Sequence, residues 1–189
     1  MTTATPSRTP KEKLLAAVVD VALAGGIADK SLRAIAAAAG TSHRMLIHHF
    51  GSREDLLVEV IRAVEGRQRA ALSELAGEPG EVTGPMAASF WKHLRSPELA
   101  PQERLFFEVY GQALQGRPGT EGLLEGIVDD WLDTITDINV SMGMDPATAR
   151  AHGRLGIAVT RGLLLDLLAT RDHAAVDAAM DVWIDLNLR

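Results

Sequence analysis

Between Thr41 and His48 the chain sets two hydroxyls, two imidazoles and a guanidinium close together: Thr41, Ser42, His43, Arg44 and His48, with Met45 and Ile47 among them. Hydroxyl, imidazole and guanidinium groups donate hydrogen bonds to phosphate oxygens. A guanidinium can also grip a guanine edge with two bonds, and apolar side chains can contact a thymine methyl. Covalent chemistry has less support, because the chain holds no cysteine, no His-Glu-x-x-His, no nucleophile elbow and no phosphate-cradling glycine loop. His43 and His48 stand five residues apart, about 140° around a helix, which is poor geometry for one shared metal. With His49 they read as groups facing a partner or solvent. Neither a metal nor a cofactor is expected.

Such a segment must be held out from the surface, and the flanking residues supply the means. Apolar residues recur three and four apart almost throughout, without sustained strand alternation, so the chain reads as all-α. A first helix over 11–24 carries Leu14, Val18 and Val21 on one face and stops at Gly25 and Gly26. Ser31 caps a second, whose stripe is Leu32, Ile35, Ala36 and Ala39, and Gly40 ends it in a left-handed turn. Ser42 caps a short third helix carrying Leu46 and Phe50, and Ser52 caps a long fourth one, with Glu54 and Asp55 in the first turn where the helix dipole favours them. Ala36 is small enough for close approach, so the third helix is projected outward. The bland alternative is a helical hairpin with no partner.

This run resembles the tetracycline-repressor-type (TetR) family of bacterial regulators. The likeness lies in Ser31 to Ala36, Ala39 to Ser42, Leu46 to Phe50 and Arg53 to Leu57. It implies an N-terminal three-helix helix-turn-helix DNA-binding domain, followed by a helical ligand-binding and dimerisation domain, about nine helices in all. By resemblance, Ser31, Arg33 and Arg53 approach phosphate, and Thr41, Ser42, His48 and His49 touch the backbone. His43, Arg44 and Met45 lie where bases are read. The chain departs from the pattern at Arg44, where glycine is common, and at Ile47, where tyrosine is common, so the operator cannot be borrowed. The domains expected are 1–55, with a loose N-terminal arm over 1–10, and 56–189, with a breakpoint at Gly77–Gly80.

The formal charge of -6 is uneven, since residues 1–55 carry seven Lys/Arg against five Asp/Glu, or +2, which leaves -8 for the rest. A basic head on an acidic body orients the encounter with phosphate. The absence of cysteine fits a reducing compartment and the start lacks the apolar core of a signal peptide, so a cytoplasmic protein is expected. The longest apolar run, 155–169, is too short to span a bilayer and holds Arg161 and Asp166.

In the body, further helices are expected near 84–95, 98–116, 120–142, 146–170 and 172–188. Glu125, Asp129, Asp133 and Asp137 fall at four-residue steps with Asp130 alongside, which reads as a solvated acidic face or as a seat for a cation. The aromatic residues Phe90, Trp91, Phe106, Phe107, Tyr110 and Trp131 cluster mid-body and suit either a core or the walls of an apolar ligand site. His93 and Glu108 are candidate orienters. The stretch 157–168 is apolar almost all round, so Leu163, Leu164 and Leu167, with Val176, Met180, Trp183 and Ile184, are candidates for a dimer interface; the alternative is intramolecular core. The expected function is a homodimeric, ligand-responsive transcriptional regulator, a repressor by family habit. It binds a near-palindromic operator in double-stranded DNA and is released by a small-molecule effector. The alternatives are a regulator that senses a protein partner and a small helical enzyme.

Overall fold

A computed structural model describes residues 9–27, 29–76 and 83–188. Residues 1–8 of the arm expected over 1–10, and the breakpoint at 77–80, lie outside the described residues. Nine α-helices follow one another there: α1 Pro10–Gly25, α2 Leu32–Ala38, α3 His43–Phe50, α4 Arg53–Leu75, α5 Thr83–Leu94, α6 Ala100–Leu114, α7 Asp129–Ser141, α8 Pro146–Thr170 and α9 His173–Asn187.

The helix starts are chemically marked. Thr9 caps α1 in a reciprocal box with Glu12, and Pro10 is already helical, so the last two residues assigned to the arm open the helix instead. Ser31, Ser42 and Ser52 cap α2, α3 and α4 by accepting from Ala34, Met45 and Asp55 N–H groups. Asp145 caps α8 by accepting from Ala147 and Thr148, and Pro146 fills the next position. A hydrogen bond from the Thr148 side chain, and then these backbone bonds, hold the Asp145 carboxyl below its ordinary range.

The continuous helix expected over 120–142 is broken. Residues Glu121–Leu124 form a single 3₁₀ turn, and α7 does not begin until Asp129. Gly126 causes the break: it takes φ +76°, and a Cβ there would lie 2.8 Å from Asp130 Oδ1. Glu125 is therefore off the helix, and the acidic ladder is interrupted. Asp129 and Asp133 do remain one turn apart, and Arg150 of α8 donates to both, at 3.3 and 2.9 Å. The cation that relieves this face belongs to the chain itself.

Two apolar cores run through the fold. The first gathers Val18, Val19, Ile27, Ile35, Leu46, Leu56 and Leu57 with Leu105 and Val109 of α6. The second joins Phe90, Trp91, Trp131, Leu132, Leu164, Val176 and Met180 from α5, α7, α8 and α9. α4 contributes to both and so spans the boundary expected at 55/56. No helix among the described residues is long and apolar enough to cross a membrane.

Candidate nucleic-acid interface and interior cavity

The turn between α2 and α3 is a complete Schellman motif. Thr41 N–H donates to Ala36 C=O at 2.9 Å, Gly40 N–H donates to Ala37 C=O at 3.2 Å, and Gly40 takes φ +67°. Behind it, Ile35, Ala36 and Leu46 are buried, with Leu46 wholly so. The turn sets the direction of α3 and the buried residues fix its roll.

What α3 presents outward is His43, Arg44, Met45, Ile47 and His48, all exposed. Arg44 and His48 are one turn apart on the face opposite Leu46 and Phe50. Ser31, Arg33 and Ser42 are exposed beside them, and Thr41 is half-buried at the turn. Ser31 and Ser42 spend an acceptor lone pair on their caps, and each hydroxyl proton remains available to an incoming oxygen. His49 is half-buried, with its ring edge-on to His48 and Phe50 at 4.9 and 6.4 Å.

Arg53 differs from its neighbours. It is half-buried, and its Nε donates to Lys30 C=O at 3.0 Å, so part of its guanidinium braces α4 against the loop before α2. Among the described residues, no group of three His, Asp or Glu side chains is placed to hold a metal ion.

The body holds a partly open cavity of about 130 Å³ between α4, α5, α6, α7, α8 and α9. Four of the eight expected ligand residues line it: Phe90, Trp91, Phe106 and Trp131. The other four do not. Phe107 and Tyr110 pack against the first core, and Glu108 is exposed and paired with Gln112. His93 is also exposed and reaches the cavity only indirectly, through Gln68 at 2.9 Å.

The polar groups of the wall come from elements whose local sequence gives no sign of it. Glu65 of α4 is buried and accepts from Trp131 Nε1 at 2.7 Å, and Arg161 of α8 lies 3.6 Å from the same carboxylate. Arg161 also donates to Ile127 C=O at 2.7 Å and sits over the rings of Phe106 and Tyr110, at 5.0 and 5.7 Å. Glu103 of α6 is 8% exposed, and among the described residues its carboxyl has no hydrogen-bond or ion-pair partner. Its pKa is pushed up to about 8 by burial first and by neighbouring Glu65 second, against the pull of Arg161. Glu65 is raised too, again mainly by burial, with Trp131, Arg161 and Arg69 opposing. Trp183 also lines the cavity, and its indole N–H is buried without a partner among the described residues.

Five of the seven residues expected at a dimer interface turn inward instead. Leu164, Leu167, Val176, Met180 and Ile184 are buried within a single chain, in the second core, and Leu163 and Trp183 pack partly against it. The helices α8 and α9 expose other apolar residues: Leu155, Leu165, Val182 and Leu186, at 47, 52, 59 and 79%. Their spacing, with exposed Ala158 and Gly162 on α8 and Ala179 on α9, gives each of the two helices a small and apolar outward face.

The head and the cavity share walls. Glu65 and Arg53 lie on α4, and α6 carries Glu103 and Phe106 before ending at a turn that meets the start of α4. A Cβ on Gly119 of that turn would lie 2.9 Å from Glu54 Cβ, and Arg117 pairs with Glu54 at 3.6 Å.

Residues 11–60 match the family model for bacterial regulatory proteins of the tetR family. No curated protein matches the chain in sequence. Among solved structures, a transcriptional regulator from Rhodococcus sp. Rha1 is similar at 21% identity, with TM-score 0.72 over 95% of this chain and 96% of that one. A TetR transcriptional regulator from Legionella pneumophila is similar at 17% identity, TM-score 0.67, over 98% of this chain and 100% of that one. The multidrug binding protein EbrR, complexed with imidazole, is similar at 22% identity, TM-score 0.67, over 96% of this chain and 92% of that one.

Proposed function

Because residues 11–60 match the family model for bacterial regulatory proteins of the tetR family and the whole chain shares a fold with regulators of that kind, we propose that this protein is a ligand-responsive transcriptional repressor. It works as a homodimer on a near-palindromic operator, and a small molecule bound in the body releases it. The head is residues 1–55 and the body 56–189, with α4 as the shared beam. The compartment is the cytoplasm.

The observation that carries this reading is the pairing of two features on common helices. The outward face of α3 offers Arg44, His48 and Ser42 to a duplex, and the cavity of the body is walled by α4 and α6, which also brace the head. A molecule entering beside Phe106 and Glu103 displaces α6, and the turn at Gly119 passes that movement to Glu54 at the start of α4. The two recognition helices then separate differently. Coupling of this kind is reciprocal, so operator DNA weakens effector binding by the same factor. A cavity of about 130 Å³ suits a small molecule as the signal, and EbrR, which shares the fold, is a multidrug binding protein.

The test is selection of genomic fragments by the purified protein, followed by footprinting. The expected footprint is a near-palindrome whose half-sites lie one duplex turn or a multiple apart, with affinity falling steeply as salt rises. A footprint without two-fold symmetry, or affinity indifferent to salt, would remove the reading.

A further inference from the structure

The cavity wall holds an incomplete set of charges. Glu65 and Glu103 contribute two carboxyls and Arg161 one guanidinium, and that guanidinium is already committed to Glu65, to Ile127 C=O and to two aromatic faces. Glu103 is 8% exposed and lines the cavity, and among the described residues its carboxyl makes no hydrogen bond or ion pair. An unpaired buried carboxyl costs stability, and a chain with no use for it would do better with glutamine or leucine at that position. The rest of the wall is mostly apolar and rich in aromatic faces: Phe90, Trp91, Phe106, Trp131 and Trp183. Aromatic faces attract cations, the more so when water is excluded. A volume of about 130 Å³ is close to that which accepts a benzene-sized ring.

We propose that the cavity binds a small aryl-alkyl ammonium compound, with its ring among the aromatic side chains and its cation paired with Glu103. This rests on reading the body as an effector-binding domain and specifies the chemistry of the effector. An anion would meet the Glu65 carboxylate while the one wall guanidinium is occupied. A neutral ligand would leave the aromatic faces and the second carboxyl without the charge they suit.

The titratable groups around Glu103 set the protonic signature. Facing it are Glu65 from α4, and Arg161 and His152 from α8 line the same cavity. In the neighbouring cleft, which Glu103 also borders, stand Arg95, Arg104, Arg171 and His173. Arg95 is paired with Asp177 at 2.8 Å, and Arg104, Arg171 and His173 are exposed to water that screens them. Without a ligand, Glu103 therefore keeps its proton at neutral pH, and an arriving cation takes the proton's place: the O–H bond of Glu103 breaks, the proton leaves to buffer, and the carboxylate stays to pair with the ammonium.

Calorimetric titration of the full chain with 2-phenylethylammonium, 2-phenylethanol and 3-phenylpropionate tests this, run near neutral pH in two buffers of different ionisation heat. The expected result is that the amine binds roughly tenfold or more tighter than either isostere. It should release close to one proton, and in Glu103→Gln it should lose both the preference and the proton release while the alcohol binds as before. A thermal melt of Glu103→Gln establishes that the variant is folded. Equal binding of the alcohol or the carboxylate, undiminished amine binding in Glu103→Gln, or no amine binding at about 1 mM would each overturn the assignment. Release of operator DNA is measured separately. Amine binding through Glu103 without release leaves the cation site standing and removes the effector reading. Release by the alcohol or the carboxylate alone does the reverse.

Discussion

Arg44 is the longest donor on the outward face of α3, and within the described residues it makes no hydrogen bond or ion pair. Arg44→Ala is expected to cost about 1–3 kcal/mol at one operator position and to relax specificity there, read by a binding series over single-base operator variants. Equal loss across all variants would reassign Arg44 to phosphate. Glu103 allows a second residue-level prediction, about stability. Its carboxyl has a pKa of about 8 in the fold against 4.5 for an ordinary glutamate, so between those values the unfolded chain gives up a proton that the folded chain keeps. The stability that Glu103 contributes is full below about 4.5, declines as pH rises, and levels off above about 8, at a slope of no more than about 1.4 kcal/mol per pH unit. Urea melts across that range should show the decline in the natural chain and a flatter profile in Glu103→Gln; identical profiles would mean that Glu103 is charged or hydrated. None of this is readable from the sequence. Glu65, Glu103 and Arg161 lie on three helices far apart in the chain, and nothing local marks them as neighbours. The aromatic residues are candidates by type, and type does not say which way a ring turns: Phe106 faces the cavity while Phe107, one residue on, packs against both cores.

At the scale of elements, the legible signals are local ones. Ser31, Ser42 and Ser52 are caps because a hydroxyl two or three residues before a free N–H closes a ring whatever the tertiary context, and Gly40 ends α2 because left-handed backbone strains other residues. Gly40→Ala tests that corner. A Cβ there meets nothing within 4 Å, so the cost is conformational alone, about 1–2 kcal/mol, and Gly40→Asn should recover part of it. Thermal melts read the stability, and operator affinity reads whether α3 keeps its angle. A loss much larger than this would point to a close contact at the turn. The break within 120–142 escapes the sequence for the opposite reason. Gly126 sits within a pattern that satisfies helical periodicity on both sides, and nothing local marks its left-handed backbone, which comes with Leu123 and Ile127 both buried in the first core.

For the whole molecule, the open question is which surface a second copy covers. Periodicity does not decide it, because a helix apolar all round has two buried sides and the sequence does not label them. The structure fills one side of α8 and α9 with the chain's own core and leaves Leu155, Leu165, Val182 and Leu186 on the other. If that face pairs two chains, charges placed on it should separate them without unfolding either. Leu165→Glu combined with Val182→Glu is expected to give a monomer by light scattering, with a melting temperature little changed for a single chain. Its operator affinity should fall to the non-specific range, since each head alone holds half a site. Leu164→Ala, one residue along on the buried side, should instead cost about 2–5 kcal/mol of stability. The contrast between adjacent leucines is informative because it separates interface from core on one helix. Were the double variant still a dimer bound tightly to its operator, the pairing surface would have to lie elsewhere, and the α4–α6 joint would need a different lever to move the two recognition helices apart.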